Sequence, residues 1–134
     1  MTTLGIRNNN PFNIRYYRLN KWKGCIGEYR HFCVFESLDF GLRAGIITLR
    51  TYIKKRKLES VESIISRFAP TNENDTHAYI SYCRTALLSL GYPTDTIKYK
   101  SHAFVRLCCA ICMYESGLAV SMPQIEEVIN KFNL

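Results

Sequence analysis

The run from Ala103 to Tyr114 constrains the fold most, because it is apolar on nearly every side of a helix. Only Arg106 interrupts it. A helix with an apolar surface all round must be covered by neighbouring elements. No apolar run in the chain reaches the length of about 18 residues that a membrane-spanning helix needs, so we expect no membrane insertion. The sequence therefore predicts a central, buried helix that starts at Ser101 or His102, continues to about Glu115 and is ended by Gly117.

Helix caps and stop signals predict four more helices around this one. These helices lie at about 38–57, 61–69, 76–90 and 122–132, with Ser60 and Ser121 among the capping residues. Pro70 to Asp75 and residues 92–100 are predicted loops. The β-prone stretch from Phe32 to Phe35, with Gly24 and Gly27 before it, predicts a short hairpin. We expect one mainly α (α+β) domain over residues 1–134, with about five helices and a small β lobe.

The charge of the chain is strongly positive, with 18 Lys and Arg against 11 Asp and Glu and a net charge of +7. One basic region covers residues 7–30, and Lys54 to Lys57 forms a second. Such a surface attracts an anionic polymer, either nucleic acid or the bacterial envelope. The second region is equally typical of a solvated helix end. The N-terminus has no basic stretch followed by an apolar one, so we predict no signal peptide.

The six cysteines do not form a metal-binding pattern. Cys109 and Cys112 lie within the apolar helix, and no second Cys or His pair has zinc spacing. We expect buried, reduced thiols, no metal and no cofactor. The chain also lacks a glycine-rich phosphate loop.

An amide-rich stretch runs from Gly5 to Arg15. Asn side chains compete with the backbone for hydrogen bonds and Pro11 removes a donor, so we expect neither a helix nor an ordinary strand here. Uncharged amides both donate and accept hydrogen bonds. The stretch therefore suits a ligand rich in hydroxyl and acetamido groups, such as a glycan, with Asn9, Asn10, Asn13 and Arg15 as candidate binding residues.

Glu115 is the strongest candidate for acid catalysis. A carboxylate at the C-terminal end of an apolar helix is disfavoured by the dipole and by its surroundings, which favours the protonated form that a general acid needs. The alternative is that Glu115 reaches solvent or pairs with an arginine. Glu28 is the candidate second carboxylate, because it lies in the β lobe near Trp22. Trp22 and Tyr79 are candidate stacking surfaces for a sugar, or half-buried core residues.

Several motifs together resemble the flagellar and autolysin-type cell-wall glucosaminidases, which are lysozyme-like. They are Ala110 to Gly117 (Ala-Ile-Cys-Met-Tyr-Glu-Ser-Gly), Asn9 to Arg15, Trp22-Lys23-Gly24, Phe35-Glu36-Ser37, Phe68-Ala69-Pro70 and Thr76 to Ile80. Asn13 stands where those enzymes have Gly. The helix with the acid comes last instead of first, so the order is circularly permuted. In its own order the chain resembles phage and prophage lytic transglycosylases or virion structural proteins that open with Gly-Ile-Arg-Asn-Asn-Asn-Pro.

The resemblance implies a lysozyme-like fold and a peptidoglycan-cleaving glycosidase, with Glu115 as general acid and Glu28 as a second carboxylate. Peptidoglycan strands would be the partner of a monomer or a virion-associated protein that acts at the envelope or as part of a virion. Two alternatives stay open. One is a non-catalytic glycan-binding or virion structural module on the same fold. The other, weaker one is a basic nucleic-acid-binding domain, although the sequence has no recognition motif and we expect no specific nucleic acid as a partner.

Overall fold

The computed structural model describes residues 2–69 and 75–134. Six helices and one hairpin follow in the order α1 (Leu4–Arg7), β1 (Cys25–Tyr29), β2 (Phe32–Phe35), α2 (Leu38–Lys54), α3 (Val61–Phe68), α4 (Thr76–Leu88), α5 (His102–Ser116) and α6 (Met122–Lys131). The predicted class, mainly α with a small β lobe, is confirmed. Of the predicted 70–75 loop, only Asp75 lies within the described residues.

The helix ends follow from local chemistry. Ser60 and Ser121 form capping boxes with Ser63 and Gln124, and the Ser101 side chain accepts the Phe104 N–H. Gly117 ends α5 in the left-handed conformation, with φ at 74°. The predictions for α2 and α4 extended too far, because the helices end at Lys54 and Leu88.

The expectation that no part of Gly5 to Arg15 is helical was wrong for its first residues. One helical turn, α1, covers Leu4–Arg7, and the Thr3 hydroxyl caps it by accepting the Ile6 N–H. This turn ends before the first asparagine, so no amide side chain competes within it. The backbone is irregular from Asn8 onward, as predicted.

Helix α5 is the centre of the core. Phe104, Leu107, Cys108, Ile111 and Cys112 are all 0% exposed. Helices α4 and α6 pack against α5, and α1 contacts it as well. All six cysteines are free thiols, of which five are buried and Cys25 is half-buried. Within the described ranges, no helix is both long and apolar enough to cross a bilayer.

The N-terminal loop, defined here as residues 8–15, lies between the hairpin and α2. β1 and β2 pair antiparallel, and Arg15 forms an isolated bridge to Phe32 at the hairpin edge. On α2, Gly41 and Gly45 are one turn apart. A side chain at Gly41 would meet the Asn9 carbonyl, and one at Gly45 would meet the Phe12 ring. The two glycines thus form a groove in which the N-terminal loop sits.

Candidate functional site

Asn9 and Asn10 hold the N-terminal loop in place. The Asn10 side chain is 0% exposed. Its Nδ2 donates to the carbonyls of Ile14 and Cys33, both at 3.0 Å, and its Oδ1 accepts the Ile14 N–H at 2.9 Å. Asn9 Nδ2 donates to the Phe35 carbonyl at 3.1 Å. These amides replace ladder hydrogen bonds that a strand would supply, and they fix the loop against β2.

Asn13 connects the N-terminal loop to α5. Its Nδ2 donates to the Glu115 carbonyl at 3.0 Å and to Glu115 Oε1 at 3.1 Å. The backbone of Asn13 is left-handed, with φ at 52°. Glycine and asparagine are the residues that most easily adopt this conformation, so asparagine suits this position. The asparagine adds a side chain that reaches the carboxylate 102 positions away.

Helix α1 fixes the end of α5 on which Glu115 lies. The Thr3 hydroxyl donates to the Ser116 carbonyl at 2.7 Å. Gly5 lies so close to Ser116 that an added Cβ would come within 2.5 Å of the serine Cβ. The same Cβ would be 3.0 Å from Asn13 Oδ1. Glu115, Ser116 and Asn13 are therefore packed into one arrangement by the first turn of the chain.

Glu115 lines a cavity of about 850 Å³. Its walls come from the N-terminal loop, the segment before β1, and helices α2 to α5. The lining residues that matter here are Asn13, Arg15, Trp22, Thr48, Tyr52, Arg67, Phe68, Asp75, Thr76, Tyr79, Tyr114 and Glu115. The cavity thus combines aromatic surface with amides, hydroxyls and charges, which is typical of a site for a polar ligand.

Tyr79 forms the buried aromatic wall of the cavity. Its ring stacks on Tyr114 at a centroid distance of 3.9 Å, and Tyr114 is 38% exposed. Tyr79 itself is only 4% exposed, and its hydroxyl has no hydrogen-bond partner of regular geometry among the described residues. Burial raises the pKa of this phenol far above its usual value, and the nearby charge of Glu115 raises it further. The hydroxyl therefore stays protonated next to the carboxylate.

The Phe68 and Tyr79 motifs meet at this cavity although they lie on different helices. The Thr76 hydroxyl donates to the Ala69 carbonyl at 3.0 Å, which joins the start of α4 to the end of α3. Phe68, Ala69, Thr76 and Tyr79 all line the cavity. Five of the six motif segments thus contribute at least one lining residue, including Asn13 and Glu115.

Two arginines line the cavity, and each makes a cation–π contact with an aromatic ring. The Arg15 guanidinium lies 5.2 Å from the Phe32 ring centroid, and that of Arg67 lies 5.9 Å from the Tyr52 centroid. Neither forms a salt bridge with any described residue. The sequence had pointed to Arg15 but not to Arg67, Tyr52, Tyr114 or Asp75 as site residues. Arg67 directly precedes the motif Phe68-Ala69-Pro70, and a basic residue at that position is the sequence signal that could have indicated it.

The structure does not bring Glu28 to this cavity. Glu28 lies on the exposed strand β1, whereas Asp75 and Glu115 are the carboxylates in the lining that the structure describes. Asn9 and Asn10 are also absent from the lining, while Asn13, Arg15, Trp22 and Tyr79 are present. Among residues 2–69 and 75–134, no group of three or more His, Cys, Asp or Glu side chains could hold a metal ion.

The fold and the site define a small α+β domain with a polar cleft and a carboxylate at the end of its central helix. No protein-family model matches the chain. It is 44% identical over 134 residues to Protein P5 of Pseudoalteromonas phage PM2, in an alignment that covers 95% of this chain and 78% of that protein. The chain belongs to the family of that phage protein. Its predicted relationship to phage proteins is confirmed, and its relationship to lysozyme-like enzymes stays a prediction.

Proposed function

We propose that this protein is a peptidoglycan-cleaving glycosidase with a lysozyme-like site in circularly permuted order, and that Glu115 is its general acid. The observation that carries the proposal is the hydrogen bond of 3.1 Å between Asn13 Nδ2 and Glu115 Oε1. It joins the two motifs that a glucosaminidase-like site requires, across the 102 positions that a permuted order puts between them.

The size of the cavity and its lining residues support a glycan as the ligand. A volume of about 850 Å³ has room for more than one sugar ring. The aromatic side chains of Trp22, Tyr79 and Tyr114 offer apolar surface to sugar rings, and Asn13 offers an amide to acetamido groups. Arg15 and Arg67 would face the carboxylates that muramic acid and its peptides carry.

Intramolecular transglycosylation is the reaction that fits these residues best. Glu115 would donate its proton to the glycosidic oxygen while the bond from that oxygen to C1 breaks. The resulting carboxylate would accept the proton of the muramic 6-hydroxyl as the hydroxyl oxygen bonds to C1. One carboxyl then acts as acid and base, so the remote position of Glu28 is no obstacle. Asp75 would serve in the competing reaction, in which water is the nucleophile.

Replacement of Glu115 with Gln tests the proposal. We expect wall cleavage to fall by roughly 10²–10⁴-fold, because the amide cannot donate the proton. Glu28→Gln is the matched control and should keep nearly full activity. Mass spectrometry of the products then distinguishes 1,6-anhydro ends from reducing ends. Undiminished cleavage by Glu115→Gln would refute the assignment, and absence of cleavage by the wild-type protein with retained wall binding would favour the non-catalytic alternative.

We also infer that the protein acts from a phage particle or at the cell envelope. Membership in a phage protein family supports this inference. Purified particles of the parent phage should contain the protein at constant stoichiometry through density-gradient fractions. A protein found only in the lysate supernatant would contradict a virion location.

A further inference from the structure

A second cavity, of about 470 Å³, lies away from the Glu115 site and is surrounded by cations. Tyr99 is one of its lining residues. Lys54 Nζ lies 5.3 Å, Lys100 Nζ 5.8 Å and the Arg50 guanidinium 6.0 Å from the Tyr99 ring centroid. Lys57 and Lys98 complete its basic lining. We call these five cations and Tyr99 the Tyr99 cluster.

The Tyr99 cluster and the Glu115 cavity lie on opposite faces of α2. Successive helical residues are rotated by about 100°, so Thr48 and Tyr52 share one face, while Arg50 and Lys54 share the face roughly 180° away. Thr48 and Tyr52 line the first cavity, and Lys54 lines the second. A ligand at the Tyr99 cluster would therefore leave the Glu115 cavity open.

The positive charge of the Tyr99 cluster is not balanced locally. Glu59 is the single acidic side chain in the described lining, and none of the five cations forms a salt bridge within residues 2–69 and 75–134. Lys57 and Lys100 occupy the left-handed region at φ values of 59° and 69°, which disfavours residues with side chains. Like charges so close together repel each other, and an anionic ligand removes that cost.

The surroundings of the cluster favour a phosphate polymer over a membrane surface. Amphipathic membrane binding needs protruding apolar side chains beside the cations. The large exposed hydrophobic residues of the described chain, among them Leu19, Ile26, Leu88 and Leu90, do not line this cavity. The cluster instead offers lysines, an arginine and an aromatic ring, which are the groups that bind phosphate backbones and stack with bases.

We propose that the Tyr99 cluster binds the phosphate backbone of nucleic acid without sequence specificity, as a second site independent of the Glu115 cavity. Five phosphate contacts give a salt dependence with a slope of about −4.5 on a log–log plot for duplex DNA. The association constant of the wild-type protein should therefore fall roughly 500-fold between 50 and 200 mM salt. Fluorescence anisotropy with a labelled 20-base-pair duplex (on the order of two helical turns) measures this fall.

The variant Lys54→Gln/Lys98→Gln/Lys100→Gln should reduce the fall to roughly 12-fold, because two contacts remain. The control Arg7→Gln/Arg18→Gln/Lys21→Gln removes the same charge from exposed residues outside the cluster and should keep the wild-type slope. Both triple variants should cleave the wall like the wild-type protein, so this proposal and the glycosidase proposal can fail separately. Equal losses in both variants, no DNA binding, or binding to anionic phosphatidylglycerol vesicles instead of DNA would each overturn it.

Discussion

Asn13 meets two requirements at one position. Its backbone is left-handed, with φ at 52°, and its amide donates to Glu115 Oε1 at 3.1 Å. Glycine would satisfy the first requirement alone, and a residue such as alanine would satisfy neither. Substitutions at Asn13 can therefore separate the contribution of its backbone conformation from that of its side-chain hydrogen bond to Glu115.

Asn13→Gly and Asn13→Ala form a matched pair. We expect Asn13→Ala to be less stable than Asn13→Gly by about 1–2 kcal/mol, because only alanine pays the left-handed penalty. Both variants lose the side-chain donor to Glu115, so any fall in wall cleavage that results from the loss of this hydrogen bond should be similar in the two. Urea unfolding and a turbidity assay measure the two effects. Full activity in Asn13→Gly would show that the hydrogen bond to Glu115 has no role in cleavage.

Removal of the Tyr79 hydroxyl should affect stability and function in opposite directions. Its buried hydroxyl has no hydrogen-bond partner of regular geometry among the described residues and interacts with the Glu115 side chain only in poor geometry, so Tyr79→Phe removes a weakly satisfied polar group. We expect the free energy of unfolding to stay unchanged or to rise by up to about 1 kcal/mol. If the hydroxyl serves the ligand, glycan affinity or cleavage should fall. A clear loss of stability would mean that the hydroxyl is already satisfied in the folded protein.

At the scale of elements, the contact between α2 and the N-terminal loop determines where Asn13 lies. Gly41 and Gly45 leave no room for side chains, because the Asn9 carbonyl and the Phe12 ring occupy that space. Glycine is a poor helix former, and it costs about 1 kcal/mol relative to alanine within a helix. The close packing of the N-terminal loop against α2 offsets this cost.

Gly45→Ala should therefore destabilise the protein despite the better helix propensity of alanine. We expect a loss of about 1–3 kcal/mol from overpacking against Phe12, measured by urea unfolding. Gly27→Ala is the control, because a Cβ at Gly27 meets no atom within 4 Å, and its effect should stay within about 0.5 kcal/mol. Equal stability of the two variants would contradict the groove.

The caps and the apolar pattern made these elements predictable, whereas the site was predictable only in part. Ser60, Ser101 and Ser121 act over three residues, so their signals are local. Asn13 and Glu115 were each predicted from the sequence as site residues, but the hydrogen bond between them was not. Which asparagine reaches the acid depends on Gly41 and Gly45, whose role is a packing relation that the sequence does not display.

At the scale of the whole molecule, the buried thiols make the stability of the folded protein depend on pH. Burial raises the pKa of Cys83 from 9.0 to about 12, with a further contribution from the charge of Glu115. Burial also raises the pKa of Cys109 to about 11 and those of Cys108 and Cys112 well above 9.0. The folded state thus holds thiol protons that the unfolded chain releases above pH 9.

The free energy of unfolding should therefore fall with rising pH above about 9, since the unfolded state binds fewer protons there. For Cys83 the fall is up to about 1.4 kcal/mol per pH unit until its folded-state pKa near 12 is reached. Below pH 9 this contribution is fully present and constant. Urea unfolding at pH 7, 9 and 10 tests it, with Cys83→Ala as the comparison. An equally steep decline in that variant would exclude a contribution from Cys83.

The contact between α1 and the end of α5 also has a consequence in time. The Thr3 hydroxyl bonds to the Ser116 carbonyl across 113 positions. At about 5–20 residues per second, a ribosome adds Ser116 about 6–23 s after Thr3. Throughout that interval the asparagines exist without their acid, so a nascent chain carries no assembled site. Any activity of this cleft can begin only after residues 115 and 116 have been synthesised and α5 can fold against α1.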